Sequence, residues 1–147
     1  PSVTVLYSVP SGRIFFTVGG IGYLAHGGRI GKLAGLADSI LGIRPIITLK
    51  EGEIFPSGIT RVRSKSLDKV ESLALKYVKE RGWSDKDYEM VVGYGYDYEE
   101  AVTFRNRMVE AFKAIGHTLT VNIWHIGAVI SVHTGPHPLG VGILAHA

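Results

Sequence analysis

Two short stretches, far apart in the chain, carry the residue types best suited to chemistry. Gly27-Gly28-Arg29-Ile30-Gly31-Lys32 stands ahead of a helical pattern, and His133-Thr134-Gly135-Pro136 follows a run of strand-type residues. Glycines clustered at a helix start bare backbone N–H groups that an anion can approach. A histidine and a threonine ending an apolar strand stand where α/β sheets present ligand-binding groups. Together they predict a site for a ligand that is anionic at one end and apolar elsewhere, with Arg29, His133, Thr134 and Gly135 as candidate contacts. Plainer readings exist: Arg29 as a surface charge on a tight loop, His133 as a hydrogen-bonded strand-end residue. The glycines of 27–35 and 135–142 weigh toward function, because backbone must come close to something there, whether another segment or a ligand.

Other chemistries fail on spacing. A phosphate loop ending at Lys32 needs glycine where His26 stands and serine or threonine where Leu33 stands. Gly20-Ile21-Gly22-Tyr23-Leu24-Ala25 matches a dinucleotide pattern, but Gly27-Gly28 would cut its helix within about two turns. Gly140-Val141-Gly142-Ile143-Leu144-Ala145 matches as well, with no helix-length segment after it in these 147 residues. His133 and His137 are four apart, yet Gly135-Pro136 between them breaks the helix that would face both to one metal. No metal site is expected, and His26, His117, His125 and His146 read as surface or satisfied histidines. No serine sits in a nucleophile elbow. No cofactor is expected.

Composition narrows the class. At 147 residues the length suits one domain with a sizeable core. The chain has no cysteine, which removes disulfides and thiolate chemistry and fits a reducing compartment, so a cytoplasmic location is expected. No apolar run reaches the ~18 residues of a membrane span, and the first residues lack the pattern of a signal peptide. The first residue is proline, which is read as processing or excision from a longer chain. The net charge of +3 is mild and only 20% of residues are charged, low for a dedicated nucleic-acid binder. The positives concentrate in Arg61-Val62-Arg63-Ser64-Lys65 and around Arg105 to Arg107, either a solvated face or a docking patch.

The elements that must position these residues follow from periodicity and punctuation. Residues Val3 to Val18 read as extended, with Pro10-Ser11-Gly12 as a turn; a short helix spans Ile21 to His26 and an amphipathic one Ile30 to Leu41. Pro45 to Lys50 is a strand, Glu51-Gly52 a tight turn, and Glu53 to Phe55 the returning arm, broken by Pro56-Ser57-Gly58 before a strand from Ile59 to Arg63. Ser66 is the expected cap of a helix running to Arg81, with Gly82 past its end. Glu89 to Tyr96 is a strand. Asp97 and Glu100 have capping-box spacing for a helix that closes at Gly116. Thr118 to Trp124, Ala128 to His133 and Leu139 to Leu144 complete the strands, giving an α/β, two-layer domain with a mixed β-sheet covered by helices.

At these residues the chain resembles the DegV family of fatty-acid-binding proteins, whose fold is the EDD fold. The matching segments are Tyr23-Leu24, Gly27 to Lys32, Ile43 to Lys50 with Gly52-Glu53-Ile54, Arg61-Val62-Arg63, and His133-Thr134-Gly135-Pro136 with Leu139-Gly140, in family order across most of the chain. The resemblance implies that residues 1–147 form the C-terminal, acyl-tail-binding domain, and that an N-terminal head-group domain, holding the carboxylate with a threonine and a serine, is not present here. It implies a long-chain fatty acid as bound ligand and a separate fatty acid kinase as partner, with this chain a carrier and no enzyme. His133 matches the family's head-group histidine. Arg61 or Arg63 matches an arginine near the pocket mouth implicated in kinase docking, and Lys65 extends that patch. The sequence departs from the family at Gly19-Gly20, where an acidic pair is usual, at His137-Pro138, and over Pro1 to Gly12.

Two rival readings come from other classes. One is a small enzyme acting on an anionic substrate, with His133 as general base and Arg29 as the anion clamp. The other is an assembly subunit that carries no lipid.

Overall fold

The computed structural model describes residues 12–18, 44–126 and 137–146. The helices expected over Ile21–His26 and Ile30–Leu41, the strand expected over Ala128–His133 and the extended segment before Gly12 lie outside those residues. Six strands and two helices are described in chain order: β1 (Arg13–Thr17), β2 (Arg44–Lys50), β3 (Glu53–Thr60), α1 (Arg63–Arg81), β4 (Tyr88–Tyr94), α2 (Tyr98–Lys113), β5 (Asn122–His125) and β6 (Leu139–Ala145). The strands form one mixed sheet in the order β3-β2-β1-β6-β4-β5, with β4–β5 parallel and the other neighbours antiparallel.

The helix ends follow from local chemistry. Gly82 takes the left-handed conformation, φ 66°, and its N–H donates to the Lys79 carbonyl, closing α1 as expected. Asp97 caps α2 by accepting from the Glu100 N–H at 3.0 Å, and Gly116 follows the last turn with φ 86°. The start of α1 differs from expectation. Val62 is its N-cap, without a side-chain cap hydrogen bond, and Ser66 lies inside the first turn, fully buried and hydrogen-bonded to the Thr60 hydroxyl. The Thr60–Ser66 bond ties the end of β3 to the helix, and the chain turns into α1 four residues earlier than a Ser66 cap would place it.

Two expectations for the second hairpin arm are corrected by that turn. The Ile59–Arg63 strand stops at Thr60: Arg61 lies in a bend and Arg63 opens the helix. Pro56-Ser57-Gly58 does not break the arm either. Ile46 pairs with Gly58 and Ile47 with Pro56, so Ser57 is an extra residue absorbed as a bulge, and Gly58 supplies the required φ of 146°. β3 is an edge strand, where the missing N–H of Pro56 costs little.

Alternation along the strands separates the two faces. Phe15, Ile46, Tyr88, Met90, Val92, Leu139, Val141 and Ile143 form one core with Val70, Ala74, Tyr77 and Val78 of α1 and Ala101, Phe104, Met108 and Phe112 of α2. Both described helices therefore cover the same face, α1 over β1, β2, β3 and β6, and α2 over β4 and β5. Arg107 of α2 bridges to Glu71 at 2.9 Å and to Asp68 of α1, and the Glu71 hydrogen bond, followed by that to Asp68, outweighs burial to hold its pKa up. At the far end of the core the Tyr88 hydroxyl meets His117 Nδ1 at 2.6 Å. Burial, then the Asp85 charge, pushes the Tyr88 pKa well up, so it stays a neutral phenol.

β6 sits between β1 and β4 and joins the two halves of the sheet. A Cβ at Gly140 would lie 2.3 Å from both the Phe15 carbonyl oxygen and the Phe16 Cβ, a clash with backbone that rotamer changes cannot relieve. We expect Gly140→Ala to lose about 3 kcal/mol of stability or to fail to fold, as overpacking against a fixed neighbour does. At Gly93 an added Cβ meets only the Ile126 side chain at 3.5 Å. Gly93→Ala should change stability by less than about 1 kcal/mol. Urea unfolding of the two variants checks the contrast, and equal losses would show that the β1–β6 approach is not the constraint.

Candidate ligand site at one rim of the sheet

The strand register gathers one set of ends at a single rim. Arg44 at the start of β2 pairs with Thr60 at the end of β3; Thr17 at the end of β1 pairs with Ile46 and with Leu139 at the start of β6; Tyr94 at the end of β4 pairs with Leu139 and with His125 at the end of β5. Both helices begin beside this rim. The Thr17 hydroxyl is buried and donates to the Pro45 carbonyl at 3.3 Å, while the Gly95 N–H donates to Pro138 O at 3.0 Å and the Ile126 N–H to Tyr94 O at 2.8 Å. Aromatic rings line the β4–β5 side: Tyr94 packs edge-on against Tyr98 and His125, and Tyr96 against His137.

Arg29, His133, Thr134 and Gly135, the expected ligand contacts, lie outside the described residues. The described residues that flank their two segments, Val18 and Arg44, and Ile126 and His137, all stand at this rim. Arg61, Arg63 and Lys65 are at the same rim but are not equivalent. Arg61 and Lys65 are exposed. Arg63 is turned onto α2: its Nε and Nη2 donate to the two oxygens of Glu100 at 3.1 and 2.8 Å, with the side chains 22% and 29% exposed. Glu100 was legible as a capping-box residue; its carboxylate is instead the partner of Arg63, a long-range pairing that helical spacing cannot reveal. Four large apolar side chains are exposed among the described residues: Ile59 and Val62 beside this basic stretch in the chain, and Tyr96 and Tyr98 at the start of α2.

Away from the described helices, the second face of the sheet is an apolar floor. Phe16, Ile47, Leu49, Val91 and Trp124 point to it by alternation, and Ile47 and Leu49 are buried. Gly140 opposite Gly93, and Gly142 opposite Val91, strip side chains from its centre. A cleft of about 70 Å³ opens there between Val91, Asn122, Trp124, Gly142 and Leu144. The glycines of 135–142 singled out in the sequence thus have, at 140 and 142, a physical reason: Gly140 lets β1 approach closely, and Gly142 lines the cleft.

The remaining described histidines are engaged as expected. His125 Nε2 lies 3.2 Å from Gly95 O, His146 pairs with Glu89 at 3.1 Å, and His117 with Tyr88. Among the described residues no group of three histidine or carboxylate side chains could hold a metal ion, and no helix is long and apolar enough to cross a membrane. Arg44 was missed as a site candidate: it reads in sequence as a pre-proline strand residue, yet it is half-buried at the rim, directly opposite Thr60 in the register.

Among the described residues, then, a mixed sheet carries two helices on one face, a small apolar cleft on the other and charged groups at one rim. Residues 8–146 match the family model described as an uncharacterised protein of the DegV family, and the chain belongs to that family. A stearic-acid-binding protein from Eubacterium ventriosum is 40% identical, with a TM-score of 0.83 over 95% of this chain and 46% of its own. A fatty-acid-binding DegV family protein of Thermus thermophilus is 26% identical, with a TM-score of 0.74 over 92% of this chain and 46% of its own. A DegV domain-containing protein of Clostridium perfringens is 32% identical over 130 residues, 88% of this chain and 43% of that protein. The chain thus spans under half the length of these relatives.

The Arg63–Glu100 fork links the starts of both helices in a half-buried setting, where a bidentate pair is worth more than an exposed one. A double-mutant cycle with Arg63→Met and Glu100→Gln, read by chemical unfolding, should return a coupling of about 1 kcal/mol. A coupling near zero would mean that the pair does not hold α1 to α2.

Proposed function

We propose that this chain is the acyl-tail-binding domain of a fatty acid carrier: it holds a long-chain fatty acid and presents it to a separate fatty acid kinase, without a catalytic residue or cofactor of its own. The observation that carries the reading is the likeness to the stearic-acid-binding protein of Eubacterium ventriosum across nearly the whole chain. The groove on the second face supports it. Gly142 lines an apolar cleft with Val91, Trp124 and Leu144 where part of a saturated tail could lie, and each buried methylene contributes ~0.8 kcal/mol. In this reading the carboxylate lies at the rim, with Arg29, His133, Thr134 and Gly135 as its contacts within this chain, and further partners come from an N-terminal domain of the kind its longer relatives have room for. Of Arg61, Arg63 and Lys65, the exposed Arg61 and Lys65 face an acidic kinase surface, and Arg63 beside them is held by Glu100. The cysteine-free composition favours a protein of the cytoplasm, and the modest charge favours lipid and protein partners over nucleic acid.

Two measurements test this. An organic extract of the purified protein, read by mass spectrometry, should contain a fatty acid of roughly 14 to 18 carbons, enough methylenes to offset the cost of association. Titration of a fluorescent fatty acid should show binding to residues 1–147 at least about tenfold weaker than to the longer Eubacterium ventriosum protein, since each unmet charged hydrogen bond costs ~1–3 kcal/mol. Equal affinities would place the whole head-group site within this chain. A ligand-free extract, with no thermal shift on adding palmitate or oleate, would sink the lipid reading.

Charge reversal at Arg61 and Lys65 should slow association with the kinase and leave lipid affinity unchanged, because rim charges act mainly on encounter rate. Stopped-flow association and lipid titration on the same variant separate the two. A lipid defect with normal kinase association would mean the basic stretch belongs to the pocket.

A further inference from the structure

Two buried side-chain polar atoms lack a hydrogen-bond partner among the described residues: Arg44 Nε and Arg63 Nη1. Buried polar groups are normally paired, and a buried cationic N–H without an acceptor is costly. Both atoms belong to one neighbourhood. Arg44 is directly opposite Thr60 across β2–β3, where partner Cα atoms are about 4.5–5.5 Å apart. Arg44 alternates with Ile46, whose side chain is in the core with α1, so it projects to the helix-covered side. The Thr60 hydroxyl bonds Ser66 in the first turn of α1, the turn that Arg63 opens.

The donor count defines what is missing. A guanidinium has five N–H donors in a planar fork. Glu100 takes one edge of Arg63, through Nε and Nη2, and leaves the edge that carries Nη1 unmet. Arg44 leaves its Nε N–H unmet, and Arg61 and Lys65 add positive charge to the stretch in which Glu100 is the carboxylate paired with Arg63. A single neutral acceptor could not satisfy the unmet donors of two guanidinium groups and balance their charge. A group with two or three oxygens and negative charge could, and guanidinium edges match it in geometry.

We infer that Arg44 and Arg63 together form a binding site for an oxyanion, a phosphate or carboxylate group, on the helix-covered side of this rim. The acyl tail proposed above occupies the opposite face, so this site does not rest on the lipid reading and can stand or fall without it.

The test uses the 147-residue chain and inorganic phosphate. Calorimetric titration and thermal melts are run with sodium phosphate against sodium chloride at matched ionic strength, for the parent, Arg44→Gln, Arg44→Lys and, as a distant control, Arg81→Gln. The parent and Arg81→Gln should bind phosphate and melt higher in it than in chloride. Arg44→Gln should bind at least tenfold more weakly, with an unchanged circular dichroism spectrum. Arg44→Lys keeps the charge without the fork, and it should also bind more weakly; it carries the test if the glutamine variant does not fold. A parallel titration with acetate tells the sources apart: a response equal to phosphate points to a carboxylate from a protein or lipid, and a response to phosphate alone points to a phosphoryl group. No phosphate effect beyond that of chloride, or the same effect in both Arg44 variants as in the parent, overturns the proposal.

Discussion

Strand β6 can enter the sheet only because residue 140 has no side chain. It lies between β1 and β4, antiparallel to both, and it brings the half of the sheet that precedes α1 against the half that follows it. A Cβ at 140 would strike the backbone of β1, so the close approach and the continuous sheet are one condition. Once it is met, Phe15, Val141 and Val92 stand side by side across three strands and give both helices a common floor. The aromatic chain from Phe15 through Tyr77 and Trp83 to Tyr88 then crosses from the β1 side of the core to the β4 side.

The same alternation divides labour between the faces. One face carries large apolar residues and is spent on packing against α1 and α2. The other carries Gly93, Gly140 and Gly142 at its centre: Gly140 admits β1, Gly93 lies against Ile126, and Gly142 lines a small cleft. Polar and charged groups are gathered at the rim where the helices begin, and the Arg63–Glu100 fork fixes the two helix starts relative to each other. The family's solved relatives include a stearic-acid-binding protein and a fatty-acid-binding DegV family protein.

Much of this was legible in the sequence for local reasons. The strand over 44–50, the Glu51-Gly52 turn, the end of α1 at Gly82, the Asp97 cap and the last strand are set by residues within a few positions of each other. Propensity, capping and turn chemistry act over that range, so a single sequence carries them, and the order of segments was enough to show the DegV resemblance.

What tertiary structure decided are the features that depend on residues distant in the chain. Arg61 to Arg63 has strand-like composition, but the Thr60–Ser66 bond and the burial of Ser66 convert it into a bend and a helix start. Pro56-Ser57-Gly58 has the composition of a break, but pairing with β2 keeps it in the sheet as a bulge. Glu100 has the spacing of a capping box, and only the arrival of α1 beside α2 gives its carboxylate a guanidinium 37 residues away. Arg44 carried no signal at all. Its significance rests on which donors stay unmet after the fold closes around it, and that is a property of three-dimensional packing, because hydrogen-bond satisfaction is settled by neighbours the chain brings together and not by those it places next to one another.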